Sequence, residues 1–282
     1  VTIRLDQALI EATIRLKGAG VEFARQDANL LMMDCLKADR DLLFREPERL
    51  LTDQEQSVFE ELVERREKRE PISHILGKRE FWSREFIVNS HVLDPRPDTE
   101  TLIELALTEM PDMEKPYRVL DLGTGSGCIL LTLLAERPKA TGVGVDISLD
   151  AMKVASANAE NLNLENRTSF IEGPWFANVD GKFDLIVSNP PYIPDAVKGE
   201  LQPEVREFEP HLALFGGEDG LDCYRHIISN AQSYLCGGGW LGFEVGIHQA
   251  QDVQKLMQIE GFRDISCAND LAGIARCVFG RI

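Results

Sequence analysis

Asn189, Pro190, Pro191 and Tyr192 follow directly on the apolar run Asp184-Leu185-Ile186-Val187-Ser188. Proline fixes its own backbone angle and has no N–H, so two in succession make a stiff loop whose carbonyls no helix consumes. The side-chain oxygen of Asn189 and the carbonyl of Pro190 then offer two fixed acceptors at a strand end. Such a pair suits a planar NH2 group, whose nitrogen is a poor nucleophile because its lone pair is delocalised. Accepting both hydrogens pulls that nitrogen toward a pyramidal shape and frees the lone pair. The same two oxygens stabilise the positive charge that develops on it. Tyr192 can pack against the planar group and orient it. Asn189, Pro190 and Tyr192 are therefore candidate catalytic residues, and Asn189, Pro190, Pro191 and Tyr192 together a candidate substrate-binding loop. The plainer reading is a stiff turn without chemistry, which an Asn and a Tyr flanking the prolines disfavour.

A second candidate site lies upstream. Val119-Leu120-Asp121-Leu122 runs as an apolar strand into Gly123-Thr124-Gly125-Ser126-Gly127 and then a helix. Glycines there let the backbone approach a ligand closely at the carboxyl end of a strand. A dinucleotide fingerprint G-x-G-x-x-G needs glycine at position 128, where this chain has Cys128. The spacing G-x-G-x-G is instead that of methyltransferases, whose ligand carries a methionine tail and no pyrophosphate. Asp146 ends the next strand about 20 residues on, where a carboxylate can accept from both ribose hydroxyls or cap the helix that follows. Gly173-Pro174-Trp175-Phe176 ends the third strand, and Trp175 can stack on an adenine or pack in the core. Candidate cofactor residues are thus Gly123, Thr124, Gly125, Ser126, Gly127, Asp146, Trp175 and Asn189.

The elements that must position these residues fall into three stretches, 1–70, 71–94 and 95–282. The first reads as helices only. Leu5, Leu9, Ala12 and Leu16 recur at helical spacing, as do Leu30, Leu31, Asp34 and Cys35. Thr52-Asp53-Gln54-Glu55 has the form of a capping box, and the helix it opens should stop before Pro71. The second stretch reads as a hairpin linker with extended pieces at His74-Ile75-Leu76 and Phe86-Ile87-Val88. Asp94-Pro95-Arg96-Pro97-Asp98-Thr99-Glu100 then begins a helix. From Arg118 the chain alternates. Strands are expected at 118–122, 141–147, 168–173, 183–188, 240–245, 263–267 and 276–279, with helices around 149–162, 221–235 and 248–260. Alternation of this kind implies a mostly parallel sheet covered on both faces.

Composition narrows the function classes. The 282 residues carry a formal net charge of −17, which argues against a protein that binds many phosphates by counterion release. No apolar run reaches the roughly 18–20 residues that a membrane span needs. The amino terminus is acidic and amphipathic, so no signal peptide is expected. The chain starts at Val1, so its native initiator is expected to be missing or replaced. The six cysteines are scattered with no C-x-x-C pair, which fits reduced thiols in a cytosolic enzyme and no metal.

D-L-G-T-G-S-G, V-D-I-S and S-N-P-P-Y-I, preceded by P-R-P-D-T-E and followed by Glu209-Pro210 and Gly216-Gly217, resemble the HemK/PrmC family. These are the protein-(glutamine-N5) methyltransferases of peptide chain release factors, and the resemblance spans essentially the whole chain. It implies an α/β fold: a class I, Rossmann-like methyltransferase sheet with an antiparallel last strand, plus a small helical bundle joined by a hairpin linker. It also implies methyl transfer from S-adenosyl-L-methionine, giving S-adenosyl-L-homocysteine, to the glutamine of a Gly-Gly-Gln motif. Class I release factors would be the partner and the bundle a substrate-docking domain. The setting would be a cytoplasmic monomer that needs no nucleic acid, membrane or metal. Matched by motif, Gly123 to Gly127, Asp146, Trp175 and Asn189 fall at cofactor positions, and Asn189 to Tyr192 at glutamine-binding positions. One departure is Pro174, where the family often has Asp, so an acidic contact to the adenine amino group is in doubt.

N-P-P-Y alone does not specify glutamine, because an exocyclic amino group on adenine poses the same planar-nitrogen problem. A glutamine methyltransferase of a ribosomal protein, an adenine-N6 nucleic acid methyltransferase, a silent binding module and a dehydrogenase are the alternatives. Whether Arg96 and Glu100 line the site or hold the linker stays open. Melting curves separate several of these readings. S-adenosylhomocysteine should stabilise the chain, by about 2.7 kcal/mol at 100 times its Kd, whereas NAD should not.

Overall fold

The computed structural model describes residues 3–282. In chain order it contains α1 (Leu5–Gly18), α2 (Ala24–Leu36), α3 (Arg40–Arg45), α4 (Asp53–Glu67), α5 (Ile72–Leu76), β1 (Lys78–Phe81) and β2 (Arg84–Ile87). After them come α6 (Glu100–Glu109), β3 (Arg118–Leu122), α7 (Cys128–Glu136), β4 (Thr141–Asp146), α8 (Leu149–Asn161) and β5 (Thr168–Glu172). The remainder is β6 (Phe183–Ser188), α9 (Pro203–Phe208), α10 (Asp222–Ala231), β7 (Leu235–Glu244), α11 (Ala250–Ile259), β8 (Arg263–Asn269) and β9 (Ala275–Arg281). Residues up to Gly77, together with Gln202–Phe208, form one compact unit; Lys78–Leu201 and Glu209–Ile282 form a second.

The helical unit forms because its apolar residues recur every three or four positions. Leu5, Leu9, Ala12 and Leu16 bury one face of α1 among Leu31 and Met32 of α2 and Phe59 and Val63 of α4. Each such side chain, fully buried, contributes roughly 1.5–3 kcal/mol. The capping box of α4 is complete. Thr52 Oγ1 accepts from Glu55 N at 3.2 Å, and Glu55 Oε2 accepts from Thr52 N at 2.8 Å.

Three local expectations differ from what is observed, one being that β7 already begins at Leu235, where a helix to about 235 and a strand only from 240 are expected. The buried stripe of α2 is Ala24, Asp27, Ala28, Leu31 and Met32, so Leu30, Asp34 and Cys35 lie only partly covered. The stripe turns this way because Arg66 Nε lies 2.7 Å from Asp27 Oδ2 and makes burial of that carboxylate tolerable. His74-Ile75-Leu76 is not extended but forms the end of α5. Pro71 starts that turn without needing an N–H, and Gly77 closes it in the left-handed region at φ 72°. The hairpin therefore begins only at Lys78. Its two-residue turn, Trp82-Ser83, has both φ values positive, which matches the twist of the strands it joins.

In the second unit the sheet order is β5-β4-β3-β6-β7-β9-β8. β3 to β7 run parallel, and β9, the last strand in the chain, is antiparallel to both its neighbours. Side chains alternate between faces along each strand. Val119, Leu185 and Val187 pack with α6 and α7 on one face, and Leu120, Ile186 and Leu241 pack with α10 and α11 on the other. The fold is thus an open α/β sheet with helices on both sides, as expected. Among the described residues no helix is long and apolar enough to cross a membrane, and no cluster of side chains is suited to a metal ion. Replacing the cap, Thr52→Ala, should cost about 1 kcal/mol of stability, read as a lower denaturation midpoint for the helical unit.

Candidate active site

Parallel strands deliver all their carboxyl ends to one edge, and ligands bind there where the strand order reverses. That point is the boundary between β3, which continues to β4 on one side, and β6 on the other. A cavity of about 280 Å3 opens at this edge. Gly123, Thr124, Gly125 and Ser126 line it from the first turn. Gly123 and Gly125 have φ of 74° and 54°, a region in which only glycine sits without strain. Their turn is pinned to the neighbouring strand, with Gly123 N and Thr124 N both donating to Val145 O, at 2.8 and 2.9 Å.

Gly127 does not reach the cavity wall. A Cβ built there would lie 3.0 Å from Leu131 and 3.3 Å from Ala155, so this glycine lets α7 and α8 close on the turn. Below it, Thr124 Oγ1 donates to Asp121 Oδ2 at 2.7 Å. Burial pushes the Asp121 carboxyl up to about 7, against the lowering effect of that hydrogen bond. Asn158, buried in α8, was not singled out by pattern. Its amide donates to Ser126 O at 2.9 Å and Ile87 O at 3.0 Å and accepts from Ile87 N at 2.7 Å, tying hairpin, helix and glycine turn together.

Asp146 uses each carboxylate oxygen once, accepting from Gly125 N and from Ser148 N, both at 2.9 Å. Capping of α8 falls to Ser148 instead, whose Oγ accepts from Ala151 N. An ionised carboxylate has about four acceptor positions, so Asp146 keeps capacity toward the cavity it lines. Trp175 is placed where either candidate role is open to it. One ring edge faces the Gly123 side of the cavity while the ring packs beside His226, 6.4 Å between centroids.

At the tip of β6, Asn189 and Pro191 line the cavity, whereas Pro190 and Tyr192 do not. Asn189 Oδ1 is buried and has no hydrogen-bond partner. Tyr192 packs on the core between β7 and α10, and burial pushes its hydroxyl up to about 12. The loop is gripped from behind. Gln249 Nε2 donates to Tyr192 O at 2.9 Å and its Oε1 accepts from Gly246 N at 3.0 Å. Ile193 N donates to Leu214 O, and Gly216 N donates to Ile193 O. The close approach needs glycine: a Cβ at Gly216 would sit 2.5 Å from Pro191 O, and one at Gly220 2.2 Å from Tyr192 O.

Two side chains of the P-R-P-D-T-E segment make different contacts. Arg96 lines the cavity and pairs with the buried Glu209 at 2.5 Å. Glu100 accepts from Trp82 N at 2.9 Å and so holds the hairpin. Burial raises Glu209 to about 7 against the pull of Arg96, and its second oxygen, like Asp94 Oδ1, is buried without a partner.

The sheet order and the glycine turn at its switch point define a Rossmann-like methyltransferase. Residues 98–202 match the methyltransferase small domain model and 7–77 the PrmC N-terminal domain model. The N-terminal domain of human METTL16 in complex with SAH is 16% identical, covers 69% of this chain and 74% of that chain, and has a TM-score of 0.51, a likeness of fold. The release factor glutamine methyltransferase of Rhodospirillum rubrum is 46% identical over 98% of this chain and 85% of its own length. That of Caulobacter vibrioides is 41% identical over 99% and 96% respectively. The chain belongs to the release factor glutamine methyltransferase family.

Gly216→Ala should push the Pro191 carbonyl away from its place while leaving the distant glycine turn intact. Methyl transfer should drop on the order of 10- to 100-fold with S-adenosylhomocysteine affinity unchanged, as read by initial rates and calorimetric titration.

Proposed function

We propose that this chain transfers a methyl group from S-adenosyl-L-methionine to the side-chain amide N5 of the glutamine in the Gly-Gly-Gln motif of class I peptide chain release factors. The observation that carries the reading is Asn189 at the end of β6, a residue that lines the cavity and whose Oδ1 is buried with no partner. Leaving a buried acceptor empty costs about 1–3 kcal/mol, so such an atom is best understood as awaiting a donor.

The residues present fit the cofactor. Asp146 has acceptor capacity for two ribose hydroxyls, and Trp175 offers an aromatic edge for the purine. The glycines clear the space beside the turn, and Asp94 Oδ1 supplies a further unmet acceptor for an ammonium group. No carboxylate stands at Pro174, so the adenine amino group is left to backbone acceptors. When bound, S-adenosylmethionine supplies an electrophilic methyl on a sulfonium sulfur.

The protein's own part is to make an amide nitrogen nucleophilic. Asn189 Oδ1 and the Pro190 carbonyl accept the two N–H bonds of the glutamine side chain, which weakens amide resonance and holds the lone pair toward the methyl. The same oxygens stabilise the cationic nitrogen that forms, and its proton then leaves to water without a strong base. In this reading Pro190 and Tyr192 meet substrate, although neither lines the cavity. Residues 1–70 dock the release factor, 71–94 link, and 95–282 carry out transfer in the cytoplasm. The charge of −17 suits a protein substrate better than a nucleic acid.

Incubation with a purified release factor and labelled methyl donor, followed by mass spectrometry, should place one methyl on the Gly-Gly-Gln glutamine. Methyl found on a ribosomal protein or on adenine, with none on the release factor, overturns the assignment. Asn189→Ala should lower kcat on the order of 100- to 1000-fold while retaining most affinity for S-adenosylhomocysteine. Transfer at the wild-type rate by that variant removes the mechanism.

A further inference from the structure

An asparagine amide presents two chemically opposite ends of nearly the same shape. Only one orientation of Asn189 offers the oxygen that a substrate NH2 requires, and the loop of two prolines does not by itself select it. The selector lies on the neighbouring strand. β6 and β7 are parallel with Ser188 beside Phe243, so the next residue on each, Asn189 and Glu244, stand beside one another at the sheet's edge. Glu244 is only 2% exposed. Its Oε2 accepts from Thr99 Oγ1 at 2.5 Å, and its own backbone oxygen accepts from Tyr224 Oη at 2.9 Å. From that neighbouring position the Asn189 amide favours the ionised form of the Glu244 carboxylate.

We infer that Glu244 is a positioning residue whose carboxylate, an acceptor with no hydrogen to give, holds the NH2 of Asn189 inward and so presents Oδ1 to the substrate. The alternative orientation would set two oxygens against each other in a buried place, at a cost of several kcal/mol in a low-dielectric site. This inference rests on Asn189 being the acceptor for the substrate nitrogen. Glu244 itself touches neither substrate nor cofactor; it acts through Asn189.

The arrangement carries a pH dependence, because a protonated Glu244 has a hydrogen to give and accepts either orientation of Asn189. Burial raises this carboxyl to about 7, while Thr99, Arg276 and Asn189 pull it down and Asp98 pushes it up. The groups around it come from several elements. Thr99 and Asp98 stand just before α6, Tyr192 follows β6, Tyr224 is on α10, Arg276 and Cys277 on β9, and Cys128 on α7. Tyr192 and Cys128 are pushed up to about 12, and Tyr224 and Cys277 are also raised, so none of these titrates near neutrality. Asp121 and Glu209, both raised to about 7, are the competing sources of a neutral inflection, and substitution separates them.

The test is the pH profile of kcat for glutamine methylation in the full-length chain, for wild type, Glu244→Gln and Thr99→Val. Wild type should lose kcat as pH falls through about 7. Glu244→Gln keeps the shape but can face Asn189 with either end. Its kcat should fall on the order of 10-fold, with KM for the release factor within twofold of wild type and the inflection gone. Thr99→Val removes a donor to the carboxylate and should move the inflection upward by about one unit. An inflection that persists unchanged in Glu244→Gln overturns the inference, as does a loss in that variant confined to KM. If Glu244→Gln yields no folded protein by its melting curve, an unmoved inflection in Thr99→Val overturns it. Wild type that methylates no glutamine at any pH would instead sink the underlying functional reading.

Discussion

A buried oxygen with two lone pairs and no hydrogen to accept is unfavourable by about 1–3 kcal/mol, and it persists only where the surroundings leave no cheaper arrangement. Asn189 Oδ1 is such an atom. Its backbone is set by β6, which is hydrogen-bonded on both sides, to β3 and to β7. The loop beyond it is stiffened by two prolines and clamped by Gln249 and by close-packed glycines. Ser188, immediately before it, spends its hydroxyl on Leu122 O at 2.6 Å, which joins the two strand ends that carry the candidate substrate and cofactor groups. A preorganised acceptor of this kind does its work without rearranging during reaction, which is why it is effective.

The features legible in sequence were those written in short windows. The glycine spacing of 123–127, the apolar runs of β3 and β6, the alternation of strand and helix and the box at Thr52–Glu55 each depend on neighbours a few residues apart. His74-Ile75-Leu76 shows the limit of that approach, because a three-residue apolar run has no period of its own. The flanking Pro71 and Gly77 decide it as a helical turn. Residues that hold the site through distant partners carry no local signal. Asn158 meets Ile87, Gln249 meets Tyr192, and Glu209 meets Arg96, across 71, 57 and 113 positions. The Glu209-Pro210 and Gly216-Gly217 motifs are visible in sequence, yet only the geometry shows their contacts. The acid pairs with Arg96, and the first glycine makes room for the Pro191 carbonyl.

The segment Gln202–Phe208 is the least expected part of the molecule. The chain leaves the loop after β6, contributes the six residues of α9 to the helical unit, and returns at Glu209. Its hold there is ionic. Arg69 grips Glu204 with two bonds of 2.6 Å, and Arg66 bridges Glu204 to Asp27. Burial alone would raise the Glu204 carboxyl, but the two arginines carry it below its ordinary value. Replacing a partially buried network of this sort with apolar contacts is often neutral for stability, so its value lies more in fixing one register than in strength. A segment distant in sequence from the first five helices is thereby registered on the helical unit.

The site also explains a tension between function and stability. Asp121, Glu209 and Glu244 all have carboxyls raised from the ordinary range to about 7 by burial. A carboxyl raised on folding binds its proton more tightly in the folded chain than in the unfolded one. Its contribution to stability is therefore complete below the ordinary carboxyl range and is lost as pH climbs through about 7. At neutral pH these three groups lie on the descending part of that dependence, so they weaken the fold where the enzyme would have to work. Apolar residues would avoid the loss. None of the three lines the cavity itself, but Asp121 and Glu244 stand near the carboxyl ends of β3 and β7, and Glu209 pairs with Arg96, which does line it. Raised carboxyls gathered beside a cleft fit the pattern of a functional site. The same desolvation that makes these carboxylates costly makes the oxygen of Asn189 strong, because an acceptor sheltered from water acts on its donor at low local dielectric.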